Sequence, residues 1–253
     1  VQTIFILGTA GSGKSTLTAA FCEWLRDQGQ SSMTVNLDPA AVALPYDPDV
    51  DIRESVDYDR IMAQMGLGPN AALVRSVREM TRNIEELRRE VQSLGVDFAL
   101  VDTPGQLELF AFRMEGRVIC ENLAPLPKGS IFLFDPEFCG TPRNFAVDMF
   151  LAASVNLSID LPMILVLSKS DIVPRSELRK ILGWMEEEEA LILEIENSLK
   201  GRDLDMSLEV ASAVHSLAGQ FPLIPVSATE FKGFTRLLAL ATRMLGEGEI
   251  ELR

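Results

Sequence analysis

The sequence predicts a doubly wound α/β fold around a mostly parallel sheet. Three observations predict it. Short apolar runs rich in β-branched and aromatic residues alternate with helical patterns along the chain. Most of these runs are continuously apolar, as strands buried on both faces of a parallel sheet must be. A glycine-rich segment over residues 8–15 joins the first run to the first helical pattern, where sheets of this kind gather phosphate.

Strands are expected over residues 3–7, 33–37, 98–101, 131–134, 163–167 and 223–226. Helices are expected over 14–28, closed by Gly29, and over 70–94, closed by Gly95. A glycine just past a periodic stretch is a stop signal, because it takes the left-handed conformation at no steric cost. Further helices are expected over 143–157, 175–199 with an interruption at Gly183, 204–217 and 234–245. No repeat or low-complexity linker divides the chain, so residues 1–253 read as one domain. Two additions exceed a minimal core, one at about 45–95 and one, helical, at about 175–220. The first follows a Pro- and Asp-rich loop that starts at Asp38-Pro39-Ala40. In the second, the stripe of Leu191, Ile192, Leu193, Ile195 and Leu199 reads as core, with a partner groove as the alternative.

The net charge of −14 disfavours a grip on nucleic acid or anionic lipid, since both need a basic face. No apolar run reaches the roughly 18 residues of a membrane span. Cys22, Cys120 and Cys139 are odd in number and far apart, which reads as free thiols in a reducing compartment. A cytoplasmic protein is expected. A single histidine, His215, cannot build a His-rich metal site.

The chemistry begins at Gly8-Thr9-Ala10-Gly11-Ser12-Gly13-Lys14-Ser15, which fits the P-loop pattern G-x-x-x-x-G-K-[ST]. Its backbone amides, from Gly11 through Thr16, can turn toward a phosphate, helped by the positive end of the following helix. Lys14 is expected on the β- and γ-phosphates and the Ser15 hydroxyl on Mg²⁺. Asp102-Thr103-Pro104-Gly105-Gln106 follows the third apolar run. Asp102 at a strand end can support the metal through water, the Gly105 amide can bond the γ-phosphate, and Gln106 can orient an attacking water.

Ser168-Lys169-Ser170-Asp171 ends the fifth run and resembles the guanine-reading N/T-K-x-D motif of GTPases. The Asp171 carboxylate can accept from guanine N1–H and N2–H₂ together, and the Lys169 stem can cover the base. Ser227-Ala228-Thr229 resembles the companion S-A-x element, with the Ala228 amide on guanine O6. Serine stands at 168 where asparagine is usual, which predicts a looser link between base loop and P-loop.

Ras-like GTPases bring a metal-binding threonine from the loop after the first helix, but residues 36–55 contain no threonine. Asp38 instead resembles the aspartate of the dimer-forming P-loop class that includes signal-recognition GTPases and partitioning ATPases. Those ATPases place a signature lysine early in the loop, and Thr9 stands there. Gly68-Pro69-Asn70 precedes the long helical pattern, where it also makes ordinary turn chemistry. With residues 8–15, Asp38-Pro39-Ala40, residues 102–106 and 168–171, it makes the chain resemble the GPN-loop GTPases over nearly its whole length. The resemblance implies a Mg²⁺-dependent GTPase that passes between GTP and GDP states as a homodimer, as expected of an archaeal-type chain without a C-terminal tail. It implies catalytic roles for Lys14, Asp38, Asn70, Asp102 and Gln106, with Asn70 reaching the partner's nucleotide. It also implies an assembly client, RNA polymerase or another complex. A P-loop kinase would explain residues 8–15 but not the base motif, and a GTP-binding assembly scaffold would need little catalysis.

Overall fold

The computed structural model describes residues 1–198 and 202–250. Within them, seven strands form one sheet: β1 (Gln2–Gly8), β2 (Ser32–Asn36), β3 (Val50–Asp51), β4 (Phe98–Asp102), β5 (Lys128–Phe134), β6 (Met163–Leu167) and β7 (Leu223–Pro225). Their order is β3-β2-β4-β1-β5-β6-β7, and every pairing is parallel. No helix of the described residues is long and apolar enough to cross a membrane.

The continuous apolar runs are explained by burial on both faces. Ile4 and Ile6 of β1 pack with Leu17, Phe21 and Leu25 of the helix Lys14–Asp27 and with Phe234 and Leu237 of the helix Phe234–Ile250. Phe5 and Leu7 point the other way, into the core shared with Leu73 and Val77 of Pro69–Arg82 and Phe145 and Met149 of Pro142–Ile159. Neither face of β1 can carry a polar residue without losing about 1.5–3 kcal/mol per large apolar side chain.

Topology then places the site. After β1 the chain builds β2, β3 and β4 on one side of it, then β5, β6 and β7 on the other. The crevice at the C-terminal end of β1, between β4 and β5, is the point where the winding reverses, and ligands of open α/β sheets bind there.

Two helical expectations change. The predicted helix over 70–94 is two helices, Pro69–Arg82 and Ile84–Ser93, separated by Asn83 at φ −99° and ψ 9°. The interruption expected at Gly183 falls at Glu187, which is extended at φ −130°, while Gly183 lies inside Arg175–Glu186. The break divides a run of four glutamates whose like charges would crowd one helical turn. Short helices at Leu107–Phe110, Met114–Asn122 and Pro136–Cys139 carry too few turns to show a period. Leu191 and Ile195 are buried in the core and Ile192 packs against it, whereas Leu193 is exposed; Leu199 lies outside the described residues. Cys22, Cys120 and Cys139 are free and buried.

Candidate active site

The loop after β1 is shaped for an anion. Gly8 has φ 151°, and a Cβ there would meet the Ser12 hydroxyl at 2.6 Å. Gly13, at φ 94°, is the N-cap of the helix Lys14–Asp27 and supplies no side-chain cap. The first-turn amides of Lys14, Ser15 and Thr16 are therefore left for a ligand, together with the positive end of the helix dipole. Gly11 is exposed beside them and Ser12 is buried.

Beneath the loop, Lys14 meets two carboxylates. Its ammonium donates to the carbonyls of Gly8 at 3.1 Å and Thr9 at 3.0 Å. Burial lowers its pKa, and the charges of Asp102 and Asp38 oppose that shift. Burial raises both carboxyls above their ordinary range, against Lys14. Asp102 Oδ2 accepts the Tyr46 hydroxyl at 3.1 Å, and the Ser15 hydroxyl interacts with the same carboxylate. Asp102 Oδ1 is buried with no hydrogen-bond partner among the described residues. Such an orphaned acceptor beside a serine hydroxyl fits Mg²⁺, which takes hard oxygens and keeps most of its shell as water and phosphate.

Asp38 is fixed by a clamp that no motif announced. Asn36, fully buried at the end of β2, accepts the Asp38 amide at 2.9 Å and donates to the Asp51 carboxylate at 2.8 Å. Arg53 grips Asp51 through Nε and Nη2 and donates from Nη1 to the Ala41 carbonyl at 3.0 Å. The only signals in the sequence were a polar Asn36 ending an apolar strand and the Asp51–Arg53 spacing. Asp38 itself accepts the Ala40 amide at 3.0 Å, and the Gly105 amide is near enough to favour its ionised form. The donor expected on a γ-phosphate thus lies beside Asp38. Gln106 caps the helix Leu107–Phe110 without using its side chain, and Thr103 ties the segment to the Ile6 carbonyl at 2.7 Å.

The base motifs close a cavity of about 230 Å³ beside the P-loop, lined by Gly13, Thr16, Lys169, Asp171, Ala228 and Thr229 among others. The Ser227 and Thr229 hydroxyls hold the Asp171 carboxyl below its usual range; the Thr229 hydroxyl stands 3.2 Å from Oδ2. Lys169 adopts φ 50°, an uncommon left-handed conformation for a side chain of its size. The looser link predicted for Ser168 is not what the structure has. Its hydroxyl lies 2.8 Å from the Ser12 carbonyl and 3.0 Å from that of Phe134. The shorter side chain spans the gap because the loops sit close together.

Asn70 stands apart. Gly68 is the N-cap of Pro69–Arg82, so the helix starts one residue before the predicted Asn70. Asn70 is exposed and its side chain makes no hydrogen bond with a described residue, while the Tyr58 hydroxyl braces the Pro69 carbonyl at 3.2 Å. Lys14, Ser15, Asp38, Asp102 and Gly105 gather in one site; Asn70 does not join them through any bond within this chain.

A family model described as "Conserved hypothetical ATP binding protein" matches residues 6–247. GPN-loop GTPase PAB0955 of Pyrococcus abyssi is 32% identical over 94% of this chain and 95% of its own. GPN-loop GTPase 1 of Saccharomyces cerevisiae is 30% identical over 98% of this chain, which spans 66% of the yeast protein's length. The crystal structure of PAB0955, titled a GTPase in apo form, superposes with a TM-score of 0.85 at 31% identity, covering 96% of this chain and 97% of that one. Sequence and backbone agree over nearly the full length of the archaeal relative, and the chain belongs to the GPN-loop GTPase family.

Proposed function

We propose that this chain hydrolyses GTP to GDP and phosphate in a Mg²⁺-dependent reaction, and that it works as a homodimer. One observation carries the choice of nucleotide. The cavity opens directly onto Gly13 and Thr16 of the P-loop, with a carboxylate at its rim held ionised by two hydroxyls. Guanine meets Asp171 with two donors. Adenine would bring no matching donor pair, so the "ATP binding" description of the family model is the less suitable guide to this pocket.

Ser15 and, through water, Asp102 would hold Mg²⁺, which supplies charge neutralisation at the β- and γ-phosphates when bound. Lys14 exchanges its two loop carbonyls for phosphate oxygens. The free first-turn amides bind the β-phosphate. Gln106 and Asp38 orient a water toward the γ-phosphorus; the bond to the β–γ bridging oxygen breaks as the new P–O bond forms. Catalysis is then positioning plus stabilisation, by fixed groups, of the charge that develops in the transition state. Asn70, exposed and with its side chain bonded to no described residue, is available to a second copy, which supports completion of each site in trans. An assembly client, RNA polymerase or another complex, rests on family kinship alone.

The test is multiple-turnover phosphate release from GTP and from ATP, with Mg²⁺ and with EDTA. Release from GTP that needs Mg²⁺ is expected. Asp171→Asn should lose about 10–100-fold in GTP affinity, the worth of a charge-assisted pair of bonds, and gain preference for xanthosine nucleotides. Equal turnover of ATP and GTP, unchanged in this variant, would overturn the base assignment.

A further inference from the structure

We propose that Tyr46 is a positioning residue for the metal site: it holds Asp102 in register and ties that acid to the loop carrying Asp38. The proposal rests on the Mg²⁺-dependent GTPase reading above.

The two oxygens of Asp102 differ. One accepts the Tyr46 hydroxyl at 3.1 Å; the other is buried without a hydrogen-bond partner among the described residues. A carboxylate anchored through one oxygen cannot rotate freely, so its second oxygen is presented in one direction. A bare buried acceptor is costly unless a ligand meets it. Tyr46 therefore keeps the acid ready and leaves a lone acceptor for the metal's water.

The origin of Tyr46 gives the contact its second meaning. Residues 38–49 leave the sheet at Asn36 and return at Val50. Near its start the loop is pinned by Asn36 to the Asp38 amide and by Arg53 to the Ala41 carbonyl. These pins leave the Asp102 carboxylate untouched; at the main chain, the Leu37 amide donates to the Asp102 carbonyl at 2.9 Å. Between the pins and β3, Val42 is 98% exposed, and Tyr46 crosses from the loop to the end of β4. A shift of the returning limb must release Asp102, and reorientation of Asp102 must release the limb. The returning limb of the loop that carries Asp38 therefore meets the Asp102 carboxylate through the Tyr46 phenol.

Tyr46→Phe removes the hydroxyl and keeps the ring. A fluorescent GTP analogue titrated at graded Mg²⁺, and again in EDTA, separates metal-assisted from metal-free binding. Loss of a hydrogen bond to a charged group predicts about a 10-fold higher Mg²⁺ requirement. Affinity in EDTA should match wild type, which a variant with a damaged fold would not achieve. A Mg²⁺ requirement equal to or below wild type overturns the proposal. A second measurement leaves the chain unaltered. With only two tyrosines in the sequence, ¹³Cζ-tyrosine NMR reports Tyr46 against Tyr58. The Tyr46 signal should move with Mg²⁺ and the analogue together and stay in place with the analogue in EDTA; a signal indifferent to Mg²⁺ overturns the proposal. Wild-type GTP binding that ignores Mg²⁺ altogether would remove the underlying GTPase reading too. A wild type that needs Mg²⁺, beside an unaltered variant, removes Tyr46 alone.

Discussion

The Lys169 ammonium donates to Asp135 Oδ2 at 2.8 Å, joining the segment after β6 to the segment after β5. Both side chains are mostly buried, and the Lys169 stem passes 4.0 Å from where a Cβ of Gly13 would stand. Asp135 thus stretches the lysine along the wall of the base cavity. Asp135→Ala should weaken GTP and GDP by similar factors, about 5–10-fold, since the diphosphate and triphosphate share the base. Equilibrium titration with both nucleotides checks this; a loss confined to GTP would place Asp135 at the phosphates instead.

Gln106→Ala should slow hydrolysis with little change in GTP affinity. The expected loss is on the order of 10²–10³ if Gln106 orients the water or a developing charge. Single-turnover rates decide it, and a wild-type rate removes that role. Asp38→Ala calls for the same measurement with one addition. The Gly105 amide favours its ionised form, so the variant removes an acid that competes with phosphate for that donor. A slower chemical step with tighter GTP binding is the expected signature.

Asn70 should act across the dimer. Asn70→Ala and Asp102→Ala should each be nearly inactive. In a mixed dimer, the Asn70→Ala subunit keeps its own Asp102 and receives an intact Asn70 from its partner, so that one site works. Mixing the two variants under subunit exchange should therefore restore part of the activity. No recovery, with exchange confirmed independently, would return Asn70 to a role within its own chain.

Asp148 sets a pH dependence of stability. It is 4% exposed in the helix Pro142–Ile159, and burial, with the charge of Asp135 added, pushes it up to about 7. The buried Cys139 thiol, itself pushed up by burial, also feels both acids. The carboxyl ionises near 4 when unfolded, so its contribution is full below about pH 4 and falls as pH rises through about 7, by a few kcal/mol in all. Asp148→Asn stays neutral and should flatten that slope. Urea unfolding of both proteins at pH 5 and pH 8 tests it: the variant should gain on wild type at pH 8, and an identical difference at both pH values would refute the assignment.

The sheet and the phosphate loop were legible because both are local. Each strand carries its own apolar run, and residues 8–15 contain their own glycines, lysine and serine. Asp171 and Lys169 were legible for the same reason. The groups that orient them were not. Tyr46 reaches Asp102 across 56 positions and Ser168 reaches Ser12 across 156. Neither pair leaves a period or spacing to read, since the contact exists only once β4 and β6 flank β1 and β5. Ser168 also shows that a motif substitution has no fixed meaning until the distance it must span is known. Asn83 broke a helix whose apolar pattern runs through it, because backbone geometry at one residue leaves the pattern intact.

The margins of the sheet constrain how copies of this chain can meet. β3 offers two residues at one edge, and β7 offers three at the other, ending in Pro225, which has no amide to donate. Long open edges invite strand-to-strand pairing between molecules, and short or proline-bearing ones discourage it. Two subunits have almost no ladder to extend into a shared sheet. Any association of copies through the described residues would run through helix faces and loops, a kind of contact that can slide or part without tearing main-chain pairing.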